Sequence, residues 1–221
     1  MASPIGSFVF FDLETTGLIT PTRTPKITEI ALIACSTQHL QETKCGELPR
    51  VLHKQTFCLN PRRTIDHEAS KFSALYNDML ENESKFDGNI VQLMVLFLQR
   101  LQGPTCLVAH NGNQFDYIIL KKELADLNAQ LPDNTYCVDS LPLFRALDQA
   151  RDLGQQQQRP AFKSFRLSSV HERLLGHPPK QSHYAECDVE ALLKCAIAEG
   201  KGFVEHAEKN KIKFRKFSSE R

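Results

Sequence analysis

Residues 7–18 read Ser-Phe-Val-Phe-Phe-Asp-Leu-Glu-Thr-Thr-Gly-Leu, and they carry the first evidence for both the fold and the chemistry. The run Ser7–Asp12 is short, aromatic and β-branched, and the Thr-Thr-Gly sequence at 15–17 ends it, which predicts a buried strand. Asp12 and Glu14 are two residues apart, so a strand directs both side chains to one face. Adjacent carboxylates repel each other unless a cation lies between them, and Mg²⁺ prefers oxygen ligands. The stretch predicts a strand that ends in a metal site, with a solvated strand end as the alternative.

Two more strands follow directly along the chain. Residues Ile27–Cys35 are β-branched and apolar apart from Thr28 and Glu29, and His53–Leu59 alternate loosely before Asn-Pro at 60–61. We predict that these three sequential strands form a meander.

The rest of the chain alternates between strands and helices. Short apolar runs predict two further strands, at Cys106–His110 and Tyr136–Asp139. Apolar spacing predicts helices at Asn89–Leu101, which we expect to be buried on several sides, and at Phe115–Leu127, Ser140–Ala150, Leu167–Leu174 and Tyr184–Ala198. Residues 151–166 have no periodicity and predict a surface loop. The fold class is α/β, with a five-stranded mixed sheet flanked by helices.

The composition of the whole chain is that of a globular protein. Its 221 residues are 41% hydrophobic and 24% charged, with a net charge of +1, so nucleic-acid binding would depend on local basic patches. The seven cysteines form no C-x-x-C pair, which favours the reduced cytoplasm or nucleus. We find no secretory signal, and the most apolar run is shorter than the ~20 residues of a membrane span. We expect one domain over 1–221, with a core at about 7–198 and a basic C-terminal extension at about 203–221.

Two further aspartates and a histidine have positions that suit them to join the first acidic pair. Asp116 begins a predicted helix after a strand and the turn at 111–113, where the helix dipole favours an ionised carboxylate and where ligands of open α/β sheets gather. Asp188 lies inside a predicted helix, although aspartate is a poor helix former. His183 lies at the start of that helix and is suited to removing a proton from water. The alternatives are a capping aspartate, a surface charge and a surface histidine.

Three segments, taken in chain order, resemble the three motifs of the DEDDh exonucleases. They are Phe-Phe-Asp-Leu-Glu-Thr-Thr-Gly-Leu at 10–18, Val-Ala-His-Asn-Gly-Asn-Gln-Phe-Asp at 108–116 and His-Tyr-Ala-Glu-Cys-Asp at 183–188. Within that superfamily the chain is most similar to the three-prime repair exonucleases, which the segments at 137–140, 163–167 and 174–179 also resemble. The resemblance covers roughly residues 7–198 and implies an RNase H-like fold.

The resemblance implies a role for each acidic residue of the motifs. Asp12 would bridge two Mg²⁺ ions, Glu14 and Asp188 would hold the first, and Asp116 would help to position the second through water. Mn²⁺ would be able to replace Mg²⁺. With His183 as general base, the cations would promote phosphodiester hydrolysis from 3′ ends and release nucleoside 5′-monophosphates. The expected enzyme is a metal-dependent 3′→5′ exodeoxyribonuclease that acts on single-stranded DNA or frayed duplex ends in DNA degradation or repair.

The same resemblance implies contacts with the terminal bases of the substrate. The backbone of Thr16, Gly17 and Leu18 and the side chains of Leu18 and Phe72 would grip and wedge these bases. An isolated leucine or phenylalanine is more often part of a hydrophobic core, so core packing is the alternative for both side chains.

Two further groups of residues are expected to contact or shape the substrate site. His110 and Phe115 lie within the second motif and would shape the site. Lys163 and Arg166, together with Arg159, belong to a basic loop without acidic residues that would hold phosphates, because such contacts give affinity without sequence preference. An ordinary solvated loop is the alternative.

Three other functions remain compatible with the sequence. A DEDDh exoribonuclease would use the same chemistry, since discrimination depends on how the 2′-hydroxyl is accommodated. A nucleic-acid-binding protein without catalysis is a second alternative, against which the complete set of four carboxylates and a histidine counts. A proofreading subunit of a polymerase is a third.

The resemblance also bears on assembly and location. The family is homodimeric through edge strands, so we expect a homodimer. The chain lacks the proline-rich insertion and the membrane-anchored tail of one mammalian branch, which favours a soluble cytoplasmic or nuclear protein without membrane contact. The basic residues at 209–216 would assist nucleic-acid binding or nuclear import, with a frayed terminus as the alternative.

Overall fold

The computed structural model describes residues 3–155, 163–180 and 184–218. Its elements, in chain order, are β1 (Ser7–Thr15), β2 (Ile27–Ser36), α1 (Thr37–Glu42), β3 (His53–Cys58), α2 (His67–Ser73), α3 (Gly88–Gln99), β4 (Thr105–Ala109), α4 (Asp116–Asp126), β5 (Thr135–Asp139), α5 (Ser140–Gln155), α6 (Leu167–Leu175), α7 (Ala185–Glu199), α8 (Lys201–Asn210), β6 (Ile212–Lys213) and a 3₁₀ turn (Phe214–Lys216).

A mixed sheet with the strand order β3-β2-β1-β4-β5-β6 forms the centre of the fold. The first three strands form the expected antiparallel meander, β1, β4 and β5 run parallel, and β6 runs antiparallel to β5. Strand β1 is central because both of its faces are apolar: Phe8 and Phe10 belong to one core cluster, and Val9 and Phe11 to the other. The structure confirms the α/β class and the mixed sheet flanked by helices.

In the part of the chain that the structure describes, the sheet has six strands and not the five that we expected, because the C-terminal segment folds onto the domain. The two-residue strand Ile212–Lys213 pairs with β5, and Phe214 and Phe217 are buried with ring centroids 6.1 and 5.4 Å from that of Tyr117. Helix α8 also contributes buried residues, including Phe203. The core therefore extends beyond residue 198, since aromatic residues in the basic tail supply apolar surface that packs against the sheet.

Helix α3 is less buried than its sequence predicts. Ile90, Val91, Met94 and Leu98 are buried, but Leu93 and Leu96 are exposed by 40% and 50%. The two leucines lie on the side of the helix that faces away from the core.

Within the described ranges, no helix is long and apolar enough to cross a bilayer.

The acidic residues of the three motifs converge at the end of the sheet where β1 and β4 stop. Strands β1 and β4 are parallel, so their C-terminal ends lie at the same edge, where ligands of α/β sheets commonly bind. Helix α4 begins shortly after β4, and α7 packs across β1 and β2 through residues such as Val189 and Leu192. Three chain segments that are distant in sequence therefore meet at this edge.

Candidate active site

The structure brings Asp12, Glu14 and Asp188 together. Asp12 and Glu14 lie two residues apart on β1, and α7 places Asp188 against the same face. One carboxylate oxygen from each residue lies within 4.8 Å of the others, and all three side chains are half-buried. This set offers only carboxylate oxygens, which are the ligands that hard divalent cations such as Mg²⁺ and Mn²⁺ prefer. The three residues therefore fit a divalent cation.

The electrostatics of the cluster point to the same conclusion. Burial raises the pKa of Glu14 to about 8, and the charges of Asp188, Glu29 and Asp116 add to the effect. Burial also raises the pKa of Asp12 well above its ordinary value, with Asp116 as the largest charge contribution. A cation would reverse these shifts, because it favours the ionised form of each carboxylate.

Asp116 lies beside this cluster at the first position of α4, and only 3% of its surface is exposed. Burial raises its pKa to about 7, assisted by the charge of Asp139, although the backbone N–H groups of Asp116 and Leu13 oppose the shift. We expected the helix dipole to keep this carboxylate ionised. In the protein without a cation, desolvation opposes the helix dipole and raises the pKa of Asp116.

The turn before Asp116 is organised by Asp139, which our sequence analysis did not single out as a functional residue. Its carboxylate accepts hydrogen bonds from the backbone N–H groups of Asn111 at 2.9 Å, Asn113 at 3.0 Å and Leu141 at 2.9 Å. Asp139 is almost completely buried at the end of β5. Asp139 therefore connects the start of α5 to the turn that immediately precedes Asp116.

Glu29 is a second acidic residue that the sequence analysis did not place in the site. It lies on β2 directly opposite Glu14, and its Oε2 accepts a hydrogen bond from the backbone N–H of Ala185 at 3.1 Å. Burial raises its pKa, the bond from Ala185 opposes this shift, and the charges of Glu186 and Asp188 add to it. The antiparallel pairing of the first two strands was the available signal, because opposite residues share a face.

The proposed general base, His183, lies outside the described residues. Its first neighbour with a described position is Tyr184, which immediately precedes α7. The role of His183 therefore stays a prediction.

The segment that we expected to grip the substrate presents one large side chain to solvent. Thr16 is buried, donates its N–H to the carbonyl of Lys26 at 2.9 Å and accepts the N–H of Asp66 at 2.9 Å. Gly17 has φ of 152°, and a Cβ there would lie 2.1 Å from Asp66 Oδ2. Leu18, in contrast, is 74% exposed. The backbone of Thr16 is thus already used within the protein, and Leu18 is the residue with free apolar surface.

Phe72 and Phe115 differ in their exposure. Phe72, on the short helix α2, is 55% exposed. Phe115 directly precedes α4 and is half-buried against the core on that side of the sheet. Phe72 therefore has surface for a base, whereas much of Phe115 serves packing.

His110 binds within the protein through both ring nitrogens. Nδ1 lies 2.8 Å from Ser140 Oγ, and Nε2 lies 2.8 Å from the carbonyl oxygen of Phe165. Burial lowers its pKa, which favours the neutral ring. His110 therefore links the segment that contains Phe165 to Ser140 at the start of α5, and its role in shaping the site stays a prediction.

Lys163 and Arg166 have different environments, although we expected both to hold phosphates. The Lys163 ammonium lies 2.8 Å from a carboxylate oxygen of Asp148 and 2.9 Å from one of Asp152, both on α5. The stretch at 159–166 contains no acidic residue, but α5, which extends to Gln155 and so includes the first residues of the predicted loop, supplies Asp148 and Asp152 in space. Arg166 is exposed at the start of α6, and Arg159 lies outside the described residues.

Comparison with known proteins agrees with this geometry. The sequence pattern of the Exonuclease family matches residues 9–196. The chain therefore belongs to the Exonuclease family, and at that level the expected activity, a metal-dependent 3′→5′ exonuclease, is confirmed.

Within this family the chain is similar to the three-prime repair exonucleases. Three prime repair exonuclease 2 of Mus musculus is 41% identical over 194 residues, which span 85% of this chain and 80% of the mouse protein. Three-prime repair exonuclease 1 of Homo sapiens is 36% identical over 201 residues, which span 86% of this chain and 62% of the human protein. The resemblance inferred from the motifs is confirmed.

Solved structures share the fold at low sequence identity. Zinc-bound E. coli exonuclease I in complex with single-stranded DNA superposes with a TM-score of 0.66 at 16% identity, over 88% of this chain and 40% of that one. A 3′-exonuclease that recognises the 3′ end of a histone mRNA stem-loop gives a TM-score of 0.63 at 12% identity, over 88% of this chain and 63% of that one. These likenesses establish the RNase H-like exonuclease fold.

Proposed function

We propose that this protein is a 3′→5′ DNA exonuclease that uses two Mg²⁺ ions held by Asp12, Glu14, Asp116 and Asp188. The main observation that supports the proposal is that Asp12, Glu14 and Asp188 converge within 4.8 Å, at the end of the sheet where β1 stops. Burial raises the pKa values of Asp12 and Glu14, and three neighbouring carboxylates would be costly to maintain unless a cation neutralised them.

Each residue of the site would have a different role in hydrolysis. When bound, the cations would supply Lewis acidity toward the phosphate and the leaving 3′-oxygen. Asp12 would contact both ions, Glu14 and Asp188 the first, and Asp116 would orient the second through water. His183 would accept the proton of the attacking water, which suits a group with an ordinary pKa near neutrality. The products would be nucleoside 5′-monophosphates.

We propose DNA as the substrate because the more similar relatives are repair exonucleases, at 36–41% identity. Single-stranded 3′ ends fit the exposed side chains of Leu18 and Phe72, which would pack against unpaired terminal bases. An exoribonuclease is the second candidate, since a histone mRNA 3′-exonuclease shares the fold at 12% identity. DNA is favoured because the sequence similarity to the repair enzymes is much greater.

The substrate proposal is tested by comparing matched DNA and RNA oligonucleotides with the purified protein in Mg²⁺. We expect DNA to be shortened from its 3′ end about tenfold faster or more, with chromatography identifying nucleoside 5′-monophosphates as products. Equal or faster degradation of RNA would reject DNA as the preferred substrate. Activity of the purified chain alone would also distinguish it from a subunit that requires a polymerase.

The role of His183 needs a separate comparison with a metal ligand. His183→Ala is expected to lower kcat by about 10²-fold or more with little change in DNA affinity, because only proton transfer is lost. Asp188→Asn is expected to abolish cleavage through loss of a metal ligand. A wild-type kcat for His183→Ala would reject the general-base assignment.

We also propose that the protein is a homodimer that associates through the edge of the sheet at β3. Among the described residues, β3 pairs only with β2, so its other edge is available for a second strand. A groove beside it is lined by residues that include Leu93 and Leu96, the two exposed leucines of α3. A second copy of the chain would cover both the strand edge and these leucines.

The thiols are consistent with the proposed location in the cytoplasm or the nucleus. Cys45 and Cys58 are exposed and form no disulfide. Exposed thiols persist in reducing compartments, where disulfides are rare. Imaging of the tagged protein would test this proposal, and accumulation in the secretory pathway would contradict it.

A further inference from the structure

Glu29 lies between β1, the strand that carries Asp12 and Glu14, and α7, the helix that carries Asp188. It faces Glu14 across the β1–β2 ladder, so both side chains lie on the face that α7 covers. Its Oε2 accepts the backbone N–H of Ala185, the first residue of α7, at 3.1 Å. Glu29 therefore links the strand pair directly to the first turn of the helix.

The N-cap residue of α7 supplies no side-chain cap to the first turn of the helix. Tyr184 occupies the N-cap position and makes no side-chain capping hydrogen bond. A helix leaves its first backbone N–H groups without partners, and an acceptor from elsewhere in the fold is needed to satisfy them. Glu29 is that acceptor for Ala185, and its negative charge also suits the positive end of the helix dipole.

Asp188 depends on this turn for its position. It lies three residues after Ala185, and its backbone N–H donates to the carbonyl of Tyr184 at 3.0 Å. A shift of Ala185 would therefore move Asp188 relative to Asp12 and Glu14. Metal ligands tolerate little displacement, and residues that orient them commonly contribute about 10- to 100-fold to metal affinity or activity.

Lys54 pairs with Glu186, another acidic residue in the first turn of α7. Its ammonium lies 3.0 Å from Glu186 Oε1, and it also binds Glu190 one turn further along α7. Glu186 therefore has a cationic partner on β3. Glu29 has the backbone of the helix as its partner.

We propose that Glu29 is a positioning residue that fixes the start of α7, so that Asp188 meets Asp12 and Glu14 with the geometry a divalent cation requires. This inference rests on the proposed metal site. It predicts that the reach of the side chain and its acceptor oxygen matter more than its charge. Glu29→Gln keeps both the reach and an acceptor, whereas Glu29→Asp keeps the charge but is one methylene shorter.

The test compares these two variants with wild type and with Glu208→Gln. Glu208 is the matched control, because its carboxylate also accepts a backbone N–H from a distant segment, that of Ile5, but on α8. The measurements are Mn²⁺ binding to the DNA-free protein by calorimetry, and kcat and KM on single-stranded DNA. Circular dichroism verifies that each variant is folded.

We expect Glu29→Asp to weaken Mn²⁺ binding and lower kcat, each by about tenfold or more, with KM for DNA within about twofold of wild type. Glu29→Gln should stay within about threefold of wild type in both quantities, as should Glu208→Gln. Wild-type Mn²⁺ affinity in Glu29→Asp would overturn the proposal, and so would equal damage in Glu29→Gln. If the wild type itself neither bound Mn²⁺ nor cleaved DNA, the proposed function would fail, and that result is distinct from both.

Discussion

The carboxylates of Asp12 and Glu14 connect folding stability to metal binding. The pKa of Glu14 is raised from 4.5 to about 8, mainly by burial. Between these two pH values, the folded protein without a cation still holds the proton of Glu14, whereas the unfolded chain has lost it. Stability therefore falls as the pH rises from about 4.5 to about 8. A bound cation removes this penalty, because it is bound by the ionised form.

Thermal unfolding at two pH values tests this link. Without divalent cations, we expect the difference in Tm between Glu14→Gln and wild type to grow in favour of the variant from pH 5 to pH 8, since the amide cannot lose a proton. Mg²⁺ should raise the Tm of wild type more at pH 8 than at pH 5. A Tm difference that is independent of pH would contradict the burial of Glu14 as an acid.

Leu18 separates substrate binding from stability. The side chain is 74% exposed, so Leu18→Ala should change the free energy of unfolding by no more than about 0.5 kcal/mol. If Leu18 packs against a terminal base, kcat/KM for single-stranded DNA should fall about fivefold, which corresponds to roughly 1 kcal/mol of apolar contact. Met79→Ala, at a residue with 60% exposure, is the control. An unchanged kcat/KM for Leu18→Ala would remove this residue from the substrate site.

The sequence identified the acidic residues whose neighbours form motifs, but not those that act through the backbone of another segment. Asp12, Glu14 and Asp188 converge as expected. Glu29 appeared only as a polar interruption in an apolar strand, because its partner lies 156 residues away at Ala185. No local pattern carries information about a contact of that separation.

Lys163 is another residue whose partners could not be predicted from the sequence around it. Its local sequence is basic and predicts a phosphate contact, but in the structure its ammonium contacts Asp148 and Asp152. These acids belong to α5, on the other side of the segment at 156–162 along the chain. Charge composition within a loop therefore does not determine which charges remain available to a substrate.

At the level of elements, the turn between β4 and α4 is tightly packed. A Cβ at Gly112 would lie 2.8 Å from Ala109 Cβ and 2.8 Å from the ring of Tyr117. The Tyr117 hydroxyl in turn accepts the N–H of Ala109 at 3.1 Å and donates to the carbonyl of Val138 at 2.6 Å. The turn can relax only by moving residues that place Asp116.

Gly112→Ala tests whether this packing positions the site. We expect a loss of about 1–3 kcal/mol in unfolding free energy from overpacking, together with a lower kcat, because the start of α4 is displaced. Gly88→Ala is the matched control, since a Cβ at that helical position meets nothing within 4 Å. Wild-type stability and activity in Gly112→Ala would show that the turn adapts without moving Asp116.

Prediction of the elements from sequence succeeded where burial was strong, and it missed the two-residue strand β6 and the ten-residue helix α8, both in the segment expected to be a basic extension. The aromatic, β-branched run of β1 is buried along most of its length, so its pattern was unambiguous. Strand β6 contains two residues inside a basic segment, and its formation depends on Phe214 and Phe217 reaching Tyr117. Such a strand has too few residues for any periodicity.

At the scale of the whole molecule, the exposed leucines of α3 bear on the proposed homodimer. Leu93 and Leu96 face a groove that also contains residues of β3, a strand that pairs on one side only among the described residues. Apolar surface next to an unpaired strand favours association unless the surface is otherwise covered. This arrangement supports the proposed homodimer over a monomer.

Light scattering coupled to size-exclusion chromatography tests this assembly. We expect the wild type to elute with twice the chain mass of 25.1 kDa, and Leu96→Asp to elute as a monomer, because a charge would be buried at the interface. Leu18→Asp, at an exposed leucine that does not line this groove, should remain a dimer. A monomeric wild type at micromolar concentration would contradict the proposal.

The most direct measurement of the central claim is the degradation of a 5′-labelled single-stranded DNA oligonucleotide by wild type and Asp12→Asn, with Mg²⁺ and with a chelator. We predict a ladder of products shortened from the 3′ end for wild type in Mg²⁺. The ladder should disappear with chelator, return when Mg²⁺ is restored in excess, and be absent for Asp12→Asn. Cleavage that resists the chelator, or a wild-type rate for Asp12→Asn, would show that the acidic cluster at the end of β1 is not the catalytic metal site.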